Sequence, residues 1–188
     1  SDNVAVDKCT RELDGTNSSL PSCDNQTMTG FSNGQHTVKV YANDTAGNIG
    51  SSSLITFSID TIVPFIALQR PENLTYNFNT SLPLNYTTND SFGTIDKCFF
   101  NIDGGSNTFL TGCANATFNV SEGGHTLNVF VNDTAGNINR STVNFTADAT
   151  APTVAIQNPA NTTFATSSVN LNYTASDNFA LDRCTREL

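Results

Sequence analysis

Tryptophan is absent from the 188 residues, methionine occurs once, and lysine and arginine together number 8 against 17 acidic residues. The resulting formal charge of -9 argues against nucleic acid or anionic lipid as a partner, since both would be repelled. It suits solubility, or the binding of divalent cations. No apolar run is long enough to span a bilayer as a helix, and Ser1 does not open a signal peptide. No window carries the 3.6-residue apolar period, so helices are expected to be absent or one turn long. The chain also lacks Gly-x-Ser-x-Gly, a phosphate loop, a CxxC pair and a cysteine with a partner histidine, so no catalytic residue is expected.

What is present is a repeat. His36 to Ile49 (HTVKVYANDTAGNI) recurs as His125 to Ile138 (HTLNVFVNDTAGNI), an offset of 125 − 36 = 89 residues. Val38, Val40 and Ala42, like Leu127, Val129 and Val131, alternate with other residues at the period of a strand buried on one face. The Asn-Asp-Thr-Ala-Gly-Asn turn then returns the chain into a second alternating run, which makes a β-hairpin. A period of about 90 residues is too long for a solenoid turn and suits a small all-β domain. His36 and His125, the two histidines, sit at equivalent positions, which favours packing or hydrogen bonding over catalysis. Tyr41 and Phe130 are expected to face away from the core.

The strands can be counted in residues 61–148. Phe65 to Gln69, Leu82 to Thr87, Lys97 to Ile102, Thr108 to Cys113, Ala116 to Val120, His125 to Val131 and Ser141 to Ala147 are seven short alternating runs separated by turn residues such as Asp103-Gly104. This predicts an immunoglobulin-like sandwich of two antiparallel sheets. Without tryptophan it is a sandwich by architecture, not an antibody relative. Residues 1–60 read as a partial repeat carrying the later strands, with an Asp14-Gly15 turn, a short strand near Met28 and a last strand with Ile55, Phe57 and Ile59 on one face. Residues 149–188 start the unit again: Pro159, Asn161 and Tyr173 match Pro71, Asn73 and Tyr86, and the copy stops inside its third strand. Asp182 to Leu188 (DRCTREL) repeats Asp7 to Leu13 (DKCTREL). Residues 149–188 thus supply what 1–60 lack, either within a longer tandem array or by donation of strands between chains joined head to tail.

Cysteines stand at 9, 23, 98, 113 and 184. The spacings predict one disulfide per domain, Cys9 with Cys23 and Cys98 with Cys113, leaving Cys184 to a partner outside the chain. Disulfides imply an oxidising, extracellular location. Fourteen Asn-x-Ser/Thr sequons, at Asn17, Asn25, Asn43, Asn73, Asn79, Asn85, Asn89, Asn115, Asn119, Asn132, Asn139, Asn144, Asn161 and Asn172, predict a surface bearing N-linked glycans. Partial occupancy is expected, because neighbours such as Asn85 and Asn89 exclude one another sterically. One acidic constellation could hold calcium: Asp60, Asp90 and Asp133 where a linker meets two loops, and Asp148 and Asp177 at the next linker, with the equivalent of Asp44 from a following unit. The alternative reading of these Asn-Asp pairs is ordinary turn chemistry.

The linkers Asp60-Thr-Ile-Val-Pro64 and Asp148-Ala-Thr-Ala-Pro152, with the Asn-Asp-Thr-Ala-Gly-Asn turns, resemble the tandem immunoglobulin-like repeats of large bacterial and archaeal adhesins and surface-layer-type proteins. Sequon density combined with acidity looks more archaeal than bacterial. The resemblance implies a non-enzymatic extracellular filament, stalk or adhesin at the cell surface, contacting copies of itself or cell-surface glycans and proteins. A carbohydrate- or protein-binding module is the alternative, and an accessory segment of a secreted enzyme a third.

Overall fold

The computed structural model describes residues 5–185. Ser1 to Asn3, whose polar residues read as a loop, and the last three residues of the 182–188 match lie outside them. Among the described residues the regular secondary structure is strand, apart from two one-turn 3-10 segments, Pro21–Cys23 and Thr111–Cys113. By internal contacts it falls into two compact units: Ser1–Phe65 with Asn89–Asp96 and Asn132–Ile138, and Ile66–Thr88 with Lys97–Val131 and Asn139–Leu188. This division does not follow the repeat, because two loops of residues 61–148 group with the first unit.

The first unit contains β1 (Val6–Leu13), β2 (Thr16–Leu20), β3 (Gly34–Asp44), β4 (Ile49–Ser51) and β5 (Ile55–Ile59), which form one sheet in the order β2-β1-β3-β4, with β5 also on β3. The β1-β2 hairpin turns at Asp14 and Gly15, both left-handed with φ of 49° and 76°. An Asp-Gly pair is the cheapest way to build that two-residue turn, whose twist matches the strands. The register Cys9↔Ala42, Arg11↔Val40 and Leu13↔Val38 puts these side chains on one face with Ile55 and Phe57. Among the described residues of this unit no second sheet lies over that face: Val40 and Ile55 are exposed, and Nε of Arg11 is shut off from solvent without a hydrogen-bond partner. The strand expected near Met28 does not form. Its counterpart in the next repeat pairs with a strand of a covering sheet, and a lone strand has nothing to satisfy its backbone.

Residues 65–147 hold β6 (Phe65–Arg70), β7 (Thr75–Tyr76), β8 (Leu82–Asn89), β9 (Ile95–Ile102), β10 (Thr108–Leu110), β11 (Ala116–Phe118), β12 (Gly123–Asp133) and β13 (Ile138–Ala147). They form two sheets, β10-β9-β12-β13-β7 and β11-β8-β6. The all-β sandwich expected from the sequence is present, with eight strands where seven were counted. The extra one, β7, is two residues long and pairs in parallel with β13, too short for any alternation to show. Residues 111–113 form a 3-10 turn in place of the end of the expected 108–113 strand. The core is made where the sheets face each other: Leu82, Leu84, Leu127, Val129, Val131 and Ala147 are fully buried. Phe118 of β11 meets Phe100 of β9 and Phe145 of β13 at 5.9 Å between ring centroids.

Both expected disulfides are formed, Cys9–Cys23 and Cys98–Cys113. Each ties a central strand to the 3-10 turn that follows its hairpin, so neither is an inter-sheet bridge of the antibody type. Residues 149–185 form only a two-stranded sheet, β14 (Thr153–Asn158) with β15 (Asn172–Ser176). The third strand expected there is not formed over residues 181–185. Its counterpart β9 lies between β10 and β12 and takes its hydrogen bonds from them, and this segment has no such neighbours.

Candidate metal centre

The loop after β8, the loop after β12 and the linker after β5 converge in the first unit. One carboxylate oxygen from each of Asp60, Asp90 and Asp133 lies within 4.8 Å of the other two. The sequence placed these three together, and the structure does the same.

Each carboxylate is fixed by its own turn. Asp133 Oδ1 accepts the N–H groups of Ala135 and Asn137, both at 2.9 Å, and Oδ2 accepts Asn137 Nδ2 at 2.8 Å. This explains the Asn-Asp-Thr-Ala-Gly-Asn motif chemically: the aspartate closes the turn and the last asparagine clamps it. Asn137 Nδ2 also donates to the Asp60 carbonyl at 3.1 Å, tying the linker to the turn. Burial of Asp133 opposes its ionisation, but the donors from Asn137, Gly136 and Ala135 outweigh that and hold its carboxyl below the ordinary carboxylate value. Asp60 Oδ1 accepts Ile62 N–H, and Asp90 Oδ1 accepts the N–H groups of Phe92 and Gly93. Asp90 Oδ2 is buried and has no hydrogen-bond partner, as is Oδ1 of the adjacent Asn132. Gly93 permits the convergence, since a Cβ there would lie 2.6 Å from Asp60 Oδ2. Sequence reasoning missed Gly93, because the need for it exists only once Asp60 has been placed.

The second acidic pair is also brought together. Asp148 and Asp177 line one cleft of about 590 Å³ with Asn77, Pro152, Asp182 and Arg183. Asp177 repeats the behaviour of Asp90: Oδ1 accepts the N–H two residues on, from Phe179, while Oδ2 is buried without a partner. Asp148 Oδ1 is a second buried oxygen without one. Asp44 holds the same turn as Asp133, accepting Ala46 and Asn48 N–H at Oδ1 and Asn48 Nδ2 at Oδ2. Those bonds, led by Asn48, lower its pKa. Hard carboxylate and amide oxygens, with Asp90 Oδ2 and Asn132 Oδ1 left unpaired, are the donor set that calcium prefers. The residues fit such an ion, and Asp60, Asp90 and Asp133 are the ones that would hold it.

The remaining residues singled out in the sequence fall elsewhere. Cys184 is free and exposed. Tyr173, its hydrogen-bonding neighbour, has its pKa raised mainly by that bond. Among sequon asparagines, Asn17, Asn25, Asn73, Asn89, Asn115, Asn119, Asn144, Asn161 and Asn172 are exposed, whereas Asn43, Asn79, Asn85, Asn132 and Asn139 are half-buried. Tyr41 and Phe130 do turn outward: Tyr41 donates its hydroxyl to Glu12, and Phe130 stacks on Phe99 at 4.9 Å, with Phe109 beside it.

No protein-family model and no curated protein matches this chain. Fourteen chains of solved structures match. One, described as fibronectin(III)-like modules of CbhA from Clostridium thermocellum, is 20% identical over 79% of this chain and 81% of its own, with a TM-score of 0.48. The class of protein, a disulfide-stapled immunoglobulin-like β-sandwich, rests on the strands and core described above.

Proposed function

We propose that this chain is a structural segment of an extracellular, N-glycosylated filament, stalk or adhesin, in which immunoglobulin-like repeats follow one another head to tail and no reaction is catalysed. One contrast carries the reading. Leu82, Leu84 and Tyr86 on β8 are 0%, 0% and 5% exposed beneath their partner sheet, while Val169, Leu171 and Tyr173 at the matching positions are 42%, 46% and 45% exposed. Val154 and Ile156 on β14 are each 66% exposed. The β1-β3-β5 face of the first unit is apolar and uncovered in the complementary way. A sheet pair that is dry in one repeat and wet in the next calls for the missing half, and residues 149–188 of one repeat set are the chemical match for the open sheet of 1–60 of another. The neighbour comes either from the same polypeptide in a longer array or from a second copy.

In this reading calcium at Asp60, Asp90 and Asp133 ties the linker to the two loops and limits bending. The exposed sequons carry glycans that shield strand edges. The outward cluster of Phe99, Phe109 and Phe130 favours the second reading, a module that binds carbohydrate or protein, because aromatic faces stack on sugar rings and anchor protein contacts.

Electron micrographs and sedimentation of the purified chain test the main reading. Head-to-tail oligomers or fibres are expected, and Leu171→Asp, just before β15, should abolish them while leaving the 61–148 sandwich folded. A strictly monomeric chain at high concentration would remove association between copies. An intact denatured mass far above 20.1 kDa plus glycans would instead support the covalent array.

A further inference from the structure

The two histidines are held in a way the array does not require. His36 Nδ1 lies 2.7 Å from Asp14 Oδ2, and its Nε2 lies 3.0 Å from the Ser32 carbonyl oxygen. His125 repeats this, with Nδ1 2.8 Å from Asp103 Oδ2 and Nε2 2.9 Å from the Ser121 carbonyl. The other oxygen of each aspartate accepts a backbone N–H, from Thr37 and Thr126 respectively, both at 2.7 Å. A carbonyl oxygen only accepts, and so does an ionised carboxylate, so both contacts of each ring are made as hydrogen bonds only if both nitrogens carry protons. Neutral imidazole has one N–H and must set a lone pair against one of the two acceptors.

We propose that Asp14-His36-Ser32 and Asp103-His125-Ser121 are pH-sensitive clasps, closed by the imidazolium and opened when it loses its proton. Each clasp joins three segments of its repeat: the Asp-Gly hairpin turn, the loop before the long strand, and the start of that strand. It also stands beside the point where the next linker departs. Asn33, next to Ser32, accepts Thr61 N–H through Oδ1 at 2.8 Å. Glu122, next to Ser121, accepts Ala149 N–H at 3.1 Å and the Thr150 hydroxyl at 2.6 Å. Opening a clasp therefore loosens the loop that holds the outgoing linker.

The charged groups around the rings are few. His36 packs on Phe31 and Phe57, and Asp14 is its titratable neighbour. His125 packs on Phe145, and Asp103 is the acid facing it, while Glu122 is taken up by Ala149, Thr150 and Asn178. At His36 the bond to Asp14 leads in raising the pKa; at His125 burial opposes the charge, and the bonds to Asp103 and Ser121 outweigh it. Asp14 and Asp103 are lowered, the first chiefly by His36 and the second chiefly by Thr126 N–H. A histidine raised on folding contributes stability that is whole below its unfolded value near 6.5 and is lost as pH rises through the folded value. An aspartate lowered on folding contributes stability present above about 3.8 and lost as pH falls through the folded value. The clasps are thus tightest in mildly acidic solution and weaken as pH rises through the raised imidazole values.

NMR titration of the two imidazole Cε1–H resonances in the intact chain is the direct test, with both expected to titrate above 6.5. Urea unfolding of the wild type at pH 6 and pH 9 should show a lower midpoint at pH 9, and His36→Gln/His125→Gln should remove most of that difference. Imidazoles that titrate at or below 6.5 would overturn the proposal, whether or not the double variant folds. So would a double variant that keeps the full wild-type pH dependence.

Discussion

Individual residues here are constrained by what approaches them more than by their own class. Gly93 is neither in a left-handed conformation nor in a tight hairpin, yet a single added carbon would meet Asp60 Oδ2. Gly93→Ala is therefore expected to destabilise the chain by about 1–2 kcal/mol, as overpacking a short, hydrogen-bonded side chain does. Urea unfolding measures the loss, and an unchanged midpoint would mean that Asp60 swings away freely. Asp133 and Asp44 show how the same residue type serves two demands. Their carboxylates close the turn by accepting the alanine N–H and the N–H and amide of the last asparagine, while Asp133 alone among the pair stands with two other acids. The turn role was readable from Asn-Asp-Thr-Ala-Gly-Asn, because it uses neighbours in sequence. The gathering with Asp60 and Asp90 was readable only after assuming which sandwich loops share an end.

At the scale of elements, the disulfides and the strand pairs divide the work differently in the two units. In residues 61–148 the Cys98–Cys113 bridge is added to a buried two-sheet core; in the first unit Cys9–Cys23 braces a single sheet with one face uncovered. Closing a loop of 15 residues removes unfolded-state entropy equivalent to roughly 3 kcal/mol. The paired change Cys98→Ala/Cys113→Ala should lower stability by about that amount while the sandwich still forms, as read by urea unfolding with far-ultraviolet dichroism. Failure to fold at all would show that the bridge, not the two-sheet core, carries this repeat. Strand alternation and turn residues located most strands of this repeat from sequence, since period and turn chemistry are local. The two-residue β7 escaped because parallel pairing to β13 leaves no trace in so short a segment. The strand expected near Met28, and the third strand of the last repeat over residues 181–185, do not form for a related reason: their residues are suitable, but a strand exists only where another supplies its hydrogen bonds.

At the scale of the whole chain, the described residues hold one covered sandwich and two sheets with an uncovered face, and the proposed mechanics depend on what closes those faces and on what stiffens the linkers. Three acids collected at one linker repel one another, and an ion there would convert that repulsion into a tie. Adding calcium should then raise the thermal unfolding midpoint by several degrees, and a chelator should reverse it, with Asp90→Asn removing most of the response. A midpoint indifferent to chelator in the wild type would remove the ion and leave the loops held by the Asn137 bonds alone.

The sequence by itself determined the repeat, the all-β class, the two disulfides and the turn role of the aspartates, because each of these depends on residues close together in the chain or on a period within it. Only the tertiary structure decided that a glycine makes room for Asp60, that each histidine faces two acceptors, and which apolar strand faces are covered. Those properties belong to segments tens of residues apart, and they exist only when sheets and loops bring the segments together.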